Sequence, residues 1–171
     1  TLRDLGATLA PLNAFLFLQG LETLSLRMER HVANARLVAE FLDAHELVSN
    51  VTYPGLPASK YRSLVDKYLP RGAGAVFSFE CAGEREGGQD LIRTVTLWSH
   101  LANVGDAKSL IIHPASTTHR QLSDDELRAA GVAPGTVRLS VGLESVEDLI
   151  WDLEQAFAAV AASAAKGAVA R

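Results

Sequence analysis

The sequence predicts an α/β or α+β domain: one small sheet with helices on one face, preceded by a long N-terminal helix. Three observations point there. Apolar residues recur at helical spacing through the first quarter of the chain. Four short β-type segments, at 48–53, 74–81, 110–113 and 136–141, are separated by helix-type segments. Turn and stop signals, among them Pro54-Gly55, Pro70 and Pro114, close most of those segments.

In chain order, Thr8 is a candidate N-cap and Pro11 sits in the first turn, where its missing N–H costs nothing. Leu12, Phe15, Leu16, Leu21 and Leu24 open an apolar pattern that continues through Val32, Ala35, Val38, Ala39 and Leu42. Gly20 is the expected kink. A single helix over 11–45 would be roughly 50 Å long, against a radius of gyration of only about 16 Å for a compact domain of this length. Phe15, Leu16, Phe17 and Leu18 are apolar on every side, so the first turns are expected to pack on another domain or subunit. The segment 48–53 is a predicted strand and 59–68 a helix. In the strand 74–81, Phe77 and Phe79 alternate with Val76, Ser78 and Glu80. A helix is predicted over 89–100 and a short strand over 110–113. Ser123-Asp124-Asp125-Glu126 forms a capping box that opens a short helix. A strand over 136–141 and a helix from Ser145 to about Ala165 complete the fold. In all, three or four strands and five helices are expected, with small residues fraying at the end.

With 171 residues the chain suits one domain with a real core. Its 16 basic and 20 acidic residues give a net charge of −4 and form no basic run, so the footprint of a nucleic-acid binder is missing. The uncharged stretch 5–21 holds Pro11, Asn13, Gln19 and Gly20 and falls short of a membrane span. The single cysteine, Cys81, excludes an internal disulfide and fits a reducing compartment.

Most candidate chemistry is weak. No two of the five histidines have metal-binding helical spacing. Gly72-Ala73-Gly74 leads into a strand and offers no helix N-terminus to a phosphate. Cys81 lies near Glu80 and Glu84, which would raise a thiol pKa. Of Lys60, Lys67, Lys108 and Lys166, only Lys108 adjoins an apolar run of the kind a Schiff-base lysine needs. Arg138 is different. It interrupts the apolar strand Val137-Arg138-Leu139-Ser140-Val141, and its planar fork suits the α-carboxylate of an amino acid; a solvated strand-face arginine or a structural ion pair stays open. The segment from Asn103 to His119 is dense in polar side chains between apolar anchors, as site-building loops are.

Four blocks carry a resemblance: GLETLSLRMERHVANARLVAEFL, VTYPGL, SHLANVGDAKSLIIHPASTTHRQL and VRLSVGLESVEDLIWDLEQAF. In order and spacing they resemble the C-terminal part of the Cys/Met-metabolism (transsulfuration) enzymes, which depend on pyridoxal 5'-phosphate (PLP). The third block is most similar to the O-acetylhomoserine sulfhydrylase branch. The cystathionine branch tends to carry Ser-Leu-Gly-Gly where this chain has Asn103-Val104-Gly105-Asp106.

The resemblance implies the small C-terminal domain of a fold-type I enzyme with a mostly antiparallel sheet. Residues 1–26 would be an arm from the PLP domain, 27–165 the substrate-side domain and 166–171 a frayed tail. Arg138 falls on the family's arginine for the substrate α-carboxylate, Asn103 on a position that helps hold it, and Thr118 on one near substrate and cofactor. Ala102 stands where some lyases have a glutamate. The implied reaction converts O-acetyl-L-homoserine and sulfide to L-homocysteine and acetate, in a cytoplasmic homo-oligomer, a homotetramer or a dimer. The Schiff-base lysine and other PLP-binding residues are expected upstream of Thr1. The chain is therefore expected to hold no catalytic or cofactor-binding residue and to be inactive alone.

Overall fold

The apolar periodicity of the first quarter becomes two helices in the computed structural model, which describes residues 1–169, without the side chains of residues 2, 3 and 163–169. A short helix α1 (Leu2–Leu5) precedes α2 (Pro11–Glu22) and α3 (Leu24–Asp43). The junction is at Thr23 (φ −106°, ψ 5°), not at the expected Gly20. A Cβ on Gly20 would meet nothing within 4 Å, so no close packing demands a bend there. The break is instead fastened by Arg27, which donates to the Gly20 carbonyl at 2.6 Å and to Thr23 Oγ1 at 3.3 Å. Pro11 does open α2, but the N-cap is Ala10 with no side-chain bond, not Thr8.

The remaining elements are β1 (Val48–Thr52), α4 (Arg62–Tyr68), β2 (Val76–Cys81), α5 (Glu84–Thr94), β3 (Ser99–His100), β4 (Leu110–Ile112), a 3-10 turn (Pro114–Ser116), α6 (Asp124–Ala129), β5 (Thr136–Ser140) and α7 (Val146–Val169). The sheet has five strands, one more than the upper expectation, in the order β1-β2-β5-β4-β3. All pairs are antiparallel except β3 with β4. The extra strand β3 lies where a helix over 89–100 was expected. That helix exists but is displaced: it begins at Glu84 despite Gly87 and Gly88, and ends at Thr94. Both glycines are needed for close approach. A Cβ on Gly87 would lie 2.0 Å from the Ala82 carbonyl oxygen, and one on Gly88 2.6 Å from the His113 ring. The C-terminal end is set from outside: the Asp152 carboxylate accepts from the backbone N–H groups of Thr96, Leu97 and Trp98 and turns the chain into β3. Helix α4 starts three residues later than expected, after turns at Ser59–Arg62. Helix α7 runs to Val169; residues 170 and 171 of the expected tail lie outside the described residues.

Phe77, Phe79, Cys81, Val137, Leu139, Val141 and Ile111 present one sheet face to α3, α5 and α7. Ala35, Val38, Leu42, Leu91, Leu149, Leu153 and Phe157 close the core from the helix side. Helices therefore cover one face, as the alternation of elements predicts. At the β1 edge the register slips between Val48 and Asn50. Helix α2 contributes nothing to this core. None of its residues is buried, and Leu12, Phe15, Leu16, Phe17 and Leu18 are each more than half exposed. Among the described residues no helix is long and apolar enough to cross a membrane.

Candidate functional site

Strand alternation places Arg138 on the sheet face opposite the helices. Its neighbours Val137 and Leu139 are fully buried in the core, whereas Arg138 is half-buried. In register it lies between Ser78 of β2 and Ile112 of β4, with Thr52 of β1 beyond Ser78. The guanidinium has no ion pair among the described residues. Its one hydrogen bond there is a long donation from Nη2 to the Asn103 carbonyl, at 3.5 Å. Five other arginines are engaged: Arg36, Arg62, Arg85, Arg93 and Arg128 each pair with a carboxylate at 2.6–3.4 Å. A half-buried guanidinium flanked by a serine and an apolar residue, with no ion pair among the described residues, has donors left for an anion.

Asn103 is brought beside Arg138 through its backbone. Its own side chain closes a local turn, Oδ1 accepting from the Val104 N–H at 2.8 Å. Asp106 does the same for the Lys108 N–H at 3.0 Å, and Gly105 supplies the left-handed residue between them (φ +72°). Thr118 is exposed and bonds its hydroxyl to His119 Nδ1 at 2.8 Å. No hydrogen bond joins it to Arg138 or Asn103 among the described residues.

The turn carrying Thr118 is anchored by His113, which is fully buried. Its Nε2–H donates to the Pro134 carbonyl at 2.7 Å, leaving Nδ1 to accept from the Ser116 hydroxyl at 2.9 Å. Burial holds this imidazole below its usual range, against the opposing pull of the Pro134 bond. A second anchor lies after β5. His31 Nδ1–H donates to the Val141 carbonyl at 2.6 Å, and Asn34 Nδ2 donates to the carbonyls of Gly142 and Glu144 at 3.0 and 2.9 Å. Sequence reasoning missed His31 and Asn34 because each of their contacts spans more than a hundred positions. Their only signal is a polar side chain on the inward stripe of an apolar helix, at His31 and Asn34.

The Cys81 thiol is pushed up to about 11, first by burial and then by Asp90. The expected direction holds, but Glu80 and Glu84 are not its cause. Lys60, Lys67 and Lys108 are exposed, the first two with their ammonium groups 5.0 and 4.9 Å from the ring centres of Tyr61 and Tyr68. The side chain of Lys166 lies outside the described residues. PLP needs a desolvated lysine for its imine, and the described side chains supply none.

Residues 1–158 match the family described as "Cys/Met metabolism PLP-dependent enzyme". The O-acetyl-L-homoserine sulfhydrylase of Leptospira meyeri is 54% identical over 156 residues, covering 91% of this chain and 35% of the relative. The homocysteine synthase of Schizosaccharomyces pombe is 50% identical over 156 residues, covering 91% and 36%. Among solved structures, one described as an O-acetylhomoserine (thiol)-lyase from Campylobacter jejuni, crystallised with N'-pyridoxyl-lysine-5'-monophosphate, superposes with a TM-score of 0.80 at 52% identity, over 91% of this chain and 37% of that one. A cystathionine γ-lyase from Micromonospora echinospora gives the same TM-score at 36% identity, over 92% and 41%. The chain thus spans little more than a third of the length of these relatives. On this match and the fold it shares with them, the chain belongs to the Cys/Met-metabolism family of PLP-dependent enzymes.

Proposed function

We propose that this chain is the C-terminal, substrate-side portion of an O-acetylhomoserine sulfhydrylase, and that Arg138 receives the α-carboxylate of O-acetyl-L-homoserine. The overall reaction replaces the acetoxy group by sulfide, giving L-homocysteine and acetate. The observation that carries the reading is the half-buried Arg138 guanidinium, which has no carboxylate partner among the described residues and lies beside the Asn103 carbonyl. Holding a carboxylate there orients the rest of an amino-acid substrate, a positioning effect. Asn103 shapes the edge of that site and Thr118 lines its approach. The exposed lysines support a division of labour in which PLP is bound by other residues of a longer protein, so the 171-residue chain is inactive alone. The exposed apolar surface of α2 supports residues 1–26 as an arm seated on that PLP-binding part, with 27–165 as the substrate-side unit of a cytoplasmic homo-oligomer.

In the full-length enzyme, Arg138→Ala should raise KM for O-acetyl-L-homoserine at a cost of about 2–5 kcal/mol, the scale for truncating one partner of a buried charge pair. An unchanged KM would remove the role. Reading the coding sequence on both sides tests the placement: the remainder should lie upstream of Thr1 and include the Schiff-base lysine, and a remainder lying downstream of Arg171 refutes it. Turnover with cystathionine or O-succinylhomoserine in place of O-acetylhomoserine would reassign the branch. A second reading, a non-catalytic domain that dimerises through residues 9–26, is favoured by the same exposed α2 surface. It requires that the purified full-length protein carry no PLP absorbance.

A further inference from the structure

The loop that brings Asn103 to Arg138 is held by a carboxylate with no basic partner among the described residues. Glu144 is half-buried. Its Oε1 accepts from the Ser109 backbone N–H and its Oε2 from the Ser109 hydroxyl, both at 2.8 Å. Ser109 is itself fully buried, and its Oγ accepts from the Gly142 N–H at 2.7 Å. The Leu143 N–H donates to the Ala107 carbonyl at 2.9 Å. The two segments touch backbone to backbone: a Cβ on Gly142 would lie 2.5 Å from the Ala107 oxygen and 2.5 Å from the Lys108 carbonyl carbon. From the other side, Asn34 and Arg30 of α3 donate to the Glu144 carbonyl at 2.9 and 3.3 Å. Glu144 thus ties three pieces of chain together: the loop 102–109, the end of β5 and helix α3.

We propose that Glu144 is a positioning residue for the carboxylate site. Through Ser109 it clamps the 102–109 loop onto the end of β5, so that the Asn103 carbonyl and the Arg138 guanidinium stand side by side. Desolvating a carboxylate without a countercharge is unfavourable unless its hydrogen bonds are strong and well directed. Here they are spent on one backbone N–H and one hydroxyl of a single residue, which fixes a loop register. The proposal rests on the reading that Arg138 binds the substrate carboxylate.

The test compares Glu144→Ala, Glu144→Gln, Ser109→Ala and Arg138→Ala in the full-length enzyme. It reads steady-state kinetics with O-acetyl-L-homoserine and amide hydrogen exchange over 102–109. The expected result for Glu144→Ala and Ser109→Ala is faster exchange in that segment and a KM raised roughly tenfold, with kcat changed less than twofold. Glu144→Gln, which keeps one acceptor oxygen, should fall between them and the wild type. Unchanged exchange in all three overturns the clamp. Faster exchange without a KM change, while Arg138→Ala does raise KM, overturns the positioning role alone. If kcat and KM move together with no rescue by glutamine, the residue is merely structural and the proposal fails. An unchanged KM in Arg138→Ala refutes the carboxylate reading itself.

Discussion

Asp152 gives the sharpest stability prediction. It is 2% exposed, and its two oxygens accept from the N–H and hydroxyl of Thr96 and from the N–H groups of Leu97 and Trp98, at 2.8–3.2 Å. In Asp152→Ala these donors lose a charged acceptor. Thr96 and Leu97 are exposed and exchange it for water, which costs about 0.5–1.5 kcal/mol. The Trp98 N–H is buried, and leaving it bare costs about 1–3 kcal/mol. The sum is about 1.5–4.5 kcal/mol, or roughly 3–18 °C in Tm for a chain of this size. Urea unfolding followed by tryptophan fluorescence suits the measurement, because Trp98 is buried and Trp151 is more than half exposed. The pH dependence has a definite sign. Burial pushes the Asp152 carboxyl up, but the hydrogen bonds from Thr96, Leu97 and Trp98 outweigh it and hold it below its ordinary value. A carboxyl whose folded pKa is depressed stabilises fully above its unfolded pKa, near 4, and loses that contribution as pH falls through the folded value. Wild-type stability should therefore drop in that acid window more steeply than that of Asp152→Asn. A loss below about 1 kcal/mol for Asp152→Ala at neutral pH, or parallel acid profiles for wild type and Asp152→Asn, would refute the reasoning.

Two further outcomes are expected. Gly87→Ala sets helix propensity, which favours alanine by about 1 kcal/mol, against a Cβ placed 2.0 Å from the Ala82 carbonyl oxygen. The clash is with backbone and wins, so thermal unfolding should show a net loss of about 1–3 kcal/mol, and a stabilised variant would contradict the packing of α5 on the end of β2. Cys81, buried and with its thiol pushed up to about 11, should resist alkylation at pH 8 in the folded chain and react in urea; equal rates in both states would show that the β2 core opens freely.

What was legible in the sequence divides along a physical line. Local chemistry was readable. The Ser123 capping box forms with both reciprocal bonds to Glu126, and the alternation of Phe77 and Phe79 with Val76, Ser78 and Glu80 matches their burial. The unburied apolar residues of α2 were readable because all-round apolarity has no other meaning in a short compact domain. Elements set by distant partners were not readable. The end of α5 and the appearance of β3 depend on Asp152, more than fifty positions away, and Gly87 and Gly88 look like helix breakers until Ala82 and His113 are seen against them. At the candidate site, the strand pattern brought out Arg138. The pairing with Asn103 came through a carbonyl, which every residue has and no side chain advertises. Glu144 was hidden for a related reason: its partner Ser109 is 35 positions away.

The sheet margins have a consequence for how the molecule behaves at high concentration. A free strand edge is a template for pairing with another chain, yet both edges here are poor templates. On one side β3 offers only Ser99 and His100. On the other, β1 carries a register slip and exposes Ser49, Asn50 and Thr52. Fibrillar, strand-by-strand growth is thereby disfavoured. Stickiness resides in the greasy flank of α2, where contacts between side chains are reversible and carry no strand register. Clustering of this chain should then be dispersed by mild detergent and leave no cross-β signature.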